Sequence, residues 1–139
     1  MYIDLIVDNI PDGFKETYGF NPVDEPLLRV LFENEEEREV VNFLGKVLWL
    51  PSSNVLLATK IKSYPSRDKE HKRIKDMCDI LSLLLFTDNW TKSRILDLVG
   101  IELLQKFKDI LNEDDILNAS SAIGVDIELT RSVLRKMIL

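Results

Sequence analysis

The fold turns on LPSSNVLLATKIKSYPSRDKEHKRIKDMCDILSLLLF, Leu50 to Phe86. Ser52 or Ser53, directly after Pro51, can accept from a free first-turn N–H and so start a helix. Leu56, Leu57, Ile61 and Tyr64 recur at helical spacing and predict its buried stripe, with Lys60 on or beside that stripe. Pro65 closes the helix, because proline has no N–H to continue it. A second helix is predicted from about His71 to Phe86, with Ile74, Met77, Cys78, Leu81, Leu84 and Leu85 as its core face.

Charge is unevenly spread over this stretch. From Lys60 to Lys75 there are seven Lys/Arg against Asp68 and Glu70, a local +5 in a chain of net charge −6, so the rest sums to −11. On a helix Asp76 and Asp79 are i, i+3 neighbours, close enough to repel or to share a cation. Their partners within the helix, Lys72 for Asp76 and Lys75 for Asp79, run base before acid, the weaker orientation. A lysine on a buried stripe is costly unless its ammonium reaches water or meets an anion. A phosphate-bearing ligand between the two helices would resolve both oddities; a Lys60 that snorkels, with a solvated basic face, would resolve them without a ligand.

Working outward, Tyr2 to Asp8 (YIDLIVD) reads as a strand stopped by the turn formers NIPDG. ETYGFNPVDEPLL carries Gly19, Pro22 and Pro26 and reads as a loop. LLRVLF, REVVNFL and KVLWL predict two or three antiparallel strands, the last after a Gly45-Lys46 turn, although LLRVLFENEEEREVV also fits a helix. The run Glu33 to Arg38 is a solvated loop or helix face rather than a metal site. After Phe86, amphipathic pieces at about 91–98, 101–111 and 113–138, the last broken near Gly124, complete the pattern. The expected fold class is α+β: a short, mostly antiparallel sheet in the N-terminal third, then a bundle of about five helices. The expected division is 1–86 and 87–139, the second part packed on the first.

At 139 residues and 45% apolar the chain can bury a sizeable core. One cysteine excludes an internal disulfide framework, and no apolar run is long enough to span a bilayer. No signal-peptide pattern begins the chain, so a cytoplasmic protein with no membrane partner is expected. An acidic balance argues against coating a nucleic acid with the whole surface, which leaves the local basic patch to meet any polyanion.

The combination LPSSNVLLATKIKSY, then RDKEHKRIKDMCDILSLL, resembles the second half of nucleotidyltransferase-fold proteins related to abortive-infection (AbiE-type) toxins. That family pairs an acidic strand with a helix of pattern L-x-x-K-x-x-A and R-x-K-D-x-x-D on the next helix. The matching positions are Asp4, Lys60 with Ser63 in the small-residue place, and Arg73, Lys75, Asp76 and Asp79, within residues 1–86. The resemblance implies transfer of NMP from an NTP, with Mg²⁺ held by carboxylates of a Gly-Ser…Asp-x-Asp motif and a third carboxylate. By carry-over Asp4 is that third, metal-holding carboxylate, and Asp76 a catalytic or orienting group. Lys60, Arg73 and Lys75 are on the phosphate side, and Asp79 is in support.

None of the five glycines is followed by serine, so the first half of that site has no counterpart here. A fragment or a degenerate relative is expected, catalytically inactive alone. The alternative is a non-catalytic protein that docks an RNA or an acidic partner on residues 60–75. An exposed sheet edge would favour pairing with a second copy, a homodimer.

Other candidates are weaker. His71 and Cys78 share a helix face, but two ligands make no closed zinc site, and Cys78 reads as core. Trp49 and Trp90 lie outside the basic run and read as packing. The tail from Ser120 echoes a helix-turn-helix. Asp126 and Glu128 balance Arg131 and Arg135, so a helical packing module is expected rather than a DNA reader.

Overall fold

A computed structural model describes residues 6–139, and the chain divides between Leu50 and Pro51. The fold is α+β, a small sheet-bearing part followed by helices.

In the first unit β1 (Ile6–Val7) pairs in parallel with β2 (Val23–Asp24), Ile6 facing Val23 and Val7 facing Asp24. The rest of the predicted 2–8 strand up to Leu5 lies outside the described residues. The expected loop between β1 and β2 holds a short helix, α1 (Phe14–Tyr18), closed by Gly19 at φ 77°. LLRVLF, expected first as a strand, is mostly helical: α2 spans Leu28–Glu33. Glu25 and Pro26 mark its start. The Glu25 carboxylate accepts from the Leu27 N–H at 3.2 Å, and Pro26 lies before the N-cap Leu27, outside the helix itself. Asn34 ends α2, its side-chain amide and its N–H both donating to the Val30 carbonyl.

REVVNF and KVLWLP form the antiparallel hairpin of β3 (Arg38–Phe43) and β4 (Lys46–Pro51). The turn is Leu44-Gly45 rather than Gly45-Lys46. Both turn residues have positive φ, 50° and 75°, as a two-residue loop matched to strand twist requires.

The second unit is all helix. α3 (Ser53–Ser63) starts at Ser52, whose hydroxyl accepts from the Val55 N–H at 3.4 Å. It buries Val55, Leu57, Ala58 and Ile61, while Leu56, expected in the stripe, is only half-buried. Pro65 ends it in a 3₁₀ turn over Tyr64–Ser66. α4 (Glu70–Phe86) follows, and Met77, Ile80, Leu81 and Leu84 form its buried apolar face. Ile74, Cys78 and Leu85 sit at that face's margin.

Then come α5 (Lys92–Val99), α6 (Ile101–Ile110), α7 (Glu113–Ile123) and α8 (Ile127–Ile138), within a residue or two of the predicted pieces. Thr91, Asn112 and Asp126 cap α5, α7 and α8 through their side chains. α4 is central: α3, α7 and α8 pack on it, and α5 and α6 pack on α3. α3 and α4 therefore share one core with the later helices, so the division falls at 50/51 where the sequence suggested 86/87.

Candidate functional site

Pro65 folds α4 back along α3, so side chains one turn from the joint on each helix meet. Asp76, on the second turn of α4, is 2% exposed. A buried carboxylate is tolerated only with full hydrogen bonding and opposite charge, and Asp76 has both. Oδ1 accepts from Lys60 Nζ at 3.1 Å. Oδ2 accepts from Ser63 Oγ at 2.9 Å and from Arg67 Nε at 2.7 Å. Lys60 Nζ also reaches Asp79 Oδ2 at 2.6 Å. The ammonium thus bridges the two aspartates whose spacing singled them out.

Electrostatics follow from the geometry. Burial alone would raise the Asp76 pKa, but hydrogen bonds from Arg67, Ser63 and Lys60 outweigh it and hold the carboxyl below its usual range. Burial alone would lower Lys60, but its bonds to Asp79 and Asp76 carry it above its ordinary value. The Arg67 guanidinium is raised by its bond to Asp76. Asp76, Lys60 and Arg67 are thus each held in the charged form, and the formal charges of the cluster with Asp79 sum to zero.

A second buried carboxylate, distant in sequence, serves different partners. Asp115, in the first turn of α7 and 1% exposed, accepts at Oδ2 from Tyr64 OH at 2.7 Å and Arg73 Nε at 2.9 Å. Burial and the bond to Asp115 push the Tyr64 phenol well above its usual range. Tyr64 also meets Phe107 edge-on, with ring centroids 5.4 Å apart. This cluster ties the α3–α4 joint to α7.

The sequence-derived residues therefore separate. Lys60, Asp76 and Asp79 come together, with Ser63. Arg73, expected on the phosphate side, instead pairs with Asp115. Lys75 is exposed, and the cation at Asp79 is Lys60 from α3 rather than Lys75 from the same helix. Lys72 likewise does not serve Asp76, which takes Lys60 and Arg67. Asp4 lies outside the described residues.

Arg67 was expected only as one member of the basic patch 60–75, not as a partner of Asp76, and Asp115 was missed. Asp115 had a signal, since Asp115, Ile116, Ala119, Ser120 and Ile123 lie on one stripe of α7.

Both sequence oddities have an internal answer: the anion that Lys60 meets is supplied by Asp76 and Asp79. Among the described residues no three His, Cys, Asp or Glu side chains converge to hold a metal ion. Asp76 does not fit a magnesium site as it stands, because both of its oxygens accept from cationic or hydroxyl donors. No helix of the described residues is long and apolar enough to cross a membrane. No family model, curated protein or solved structure matches the chain.

Proposed function

We propose that residues 51–86 carry the helical, phosphate-side half of a nucleotidyltransferase-type site, binding Mg·NTP without transferring NMP on their own. One observation supports the reading: Lys60 Nζ stands 3.1 Å from Asp76 and 2.6 Å from Asp79. The two motifs behind the resemblance, sixteen residues apart between Lys60 and Asp76, thus meet at one point. In this reading Lys60 neutralises phosphate charge as a compact point charge on a flexible stem. Asp76 fixes Lys60 and Arg67 relative to each other. Magnesium arrives with the nucleotide, and no step is assigned to protein-bound metal. The chain has no Gly-Ser dipeptide to begin a Gly-Ser…Asp-x-Asp motif, so no transfer is expected from it alone. The reading suits a cytoplasmic protein, where NTPs are abundant.

The test is thermal stabilisation by ATP, CTP, GTP or UTP with Mg²⁺. Stabilisation by at least one, lost in Lys60→Gln, agrees with the proposal. Label transfer from an NTP by the purified chain would contradict it.

A second reading has its own observation. Lys69, Lys72 and Lys75 are exposed along the start of α4, while Lys60, Arg67 and Arg73 are engaged by carboxylates. RNA binding on that face would be steeply salt-dependent, lost when Lys69, Lys72 and Lys75 become Gln, and indifferent to Lys60→Gln.

A further inference from the structure

We propose that Arg67 is the second phosphate-binding cation beside Lys60, and that Asp79 is an internal competitor which a polyphosphate displaces from Lys60. The inference rests on the NTP-site reading above and assigns the order in which its groups yield.

Charge balance forces a choice. Lys60 and Arg67 against Asp76 and Asp79 sum to zero, so an incoming polyanion meets no net attraction until one carboxylate gives way. Asp76 is the poor candidate. Its side chain is 3% exposed, and its two oxygens take three donors. Asp79 is the good one. Its side chain is 39% exposed, at the open side of the cluster, and Lys60 is its cationic partner there. Turning Asp79 into water leaves the cluster at +1, with Asp76 still holding both cations.

Arg67 is placed to use that charge. It lies in the short connection between the 3₁₀ turn and α4, with φ −76° and ψ 117°, so it can re-aim without unwinding a helix. Its side chain is 35% exposed, and Nε alone is given to Asp76. The outer guanidinium nitrogens are of the kind that grips a phosphate bidentately. Arg73, the guanidinium expected there from the sequence, is committed to Asp115.

Isothermal titration with sodium tripolyphosphate and with Mg·ATP tests this on the full chain. The variants are Asp79→Asn, Arg67→Gln and Arg67→Lys, each checked for a native circular-dichroism spectrum. Freeing Lys60 from one partly exposed pair should tighten binding about three- to fivefold in Asp79→Asn. Arg67→Gln should weaken it about fivefold or more, and Arg67→Lys should recover part of the loss. Wild-type binding that Asp79→Asn leaves unchanged or weakens, or that Arg67→Gln does not alter, overturns this inference and leaves the NTP site standing. Absence of binding by both wild type and Asp79→Asn overturns the NTP-site reading and this inference with it.

Discussion

Replacing Asp76 with alanine probes how the joint between α3 and α4 is held. The substitution removes acceptors for Lys60, Ser63 and Arg67 at 3.1, 2.9 and 2.7 Å. Hydrogen bonds to a charged group each contribute about 1.5–3 kcal/mol when desolvated. That figure is too large here for the two cations, whose side chains are 28% and 35% exposed and can turn to water. The Ser63 hydroxyl can fall back on the Lys60 carbonyl at 3.2 Å, but the emptied volume at a 2%-exposed position cannot be relieved in that way. The net loss should be about 2–4 kcal/mol.

Asp79→Ala removes one partly exposed ion pair and should cost no more than about 1 kcal/mol. At roughly 4–8 °C per kcal/mol for a domain of this size, Asp76→Ala should lower Tm by about 8–30 °C and Asp79→Ala by under about 8 °C. Circular dichroism at the helical band reads the second unit, where the long helices lie. Equal losses in the two variants, or an Asp76→Ala loss under about 1 kcal/mol, would refute the reasoning.

Four further outcomes follow from the structure. The Asp76 pKa is lowered on folding, so its contribution is fully present above its unfolded value of 3.8 and lost as pH falls through the folded value. The stability gap between wild type and Asp76→Asn should therefore be flat from about pH 5 to 8 and close only in strong acid, as followed by urea unfolding. Tyr64→Phe removes the phenol bonded to Asp115 and should cost about 1–2 kcal/mol in the same assay. In ultraviolet titration the Tyr64 phenol should still be protonated at about pH 10, so a wild-type minus Tyr64→Phe difference showing phenolate there would contradict its raised pKa. Asp126→Ala removes the cap that accepts from Glu128 and Leu129 N–H and should cost about 1 kcal/mol; an unchanged Tm would show that α8 does not depend on its cap.

The helices from Ser53 onward were legible because apolar residues recur at helical spacing between the boundary signals Ser52, Pro65 and Gly124. LLRVLF was not, since six residues of apolar character carry no decisive period. Side-chain bonds flank its two ends, Glu25 accepting from the Leu27 N–H and Asn34 donating to the Val30 carbonyl. The site divides along the same line. The spacing of Asp76 and Asp79 and the position of Lys60 on a buried stripe were visible in one dimension. The partners were not, because sequence reasoning paired each aspartate with a lysine on its own helix. The fold instead brings Lys60 across from α3 and Arg67 from the connection. Arg73 shows the converse. A basic residue inside a matching motif was expected on the phosphate side, yet a carboxylate forty-two residues away in sequence takes it.

The most direct test of the account is equilibrium dialysis of radiolabelled ATP, CTP, GTP and UTP, each with Mg²⁺, against wild-type chain and Lys60→Gln. Saturable binding of at least one nucleotide to the wild type, weakened at least tenfold in the variant, is the predicted result. Retention of no nucleotide, or equal retention by both proteins, would contradict the claim that Lys60 and its aspartates form a nucleotide site.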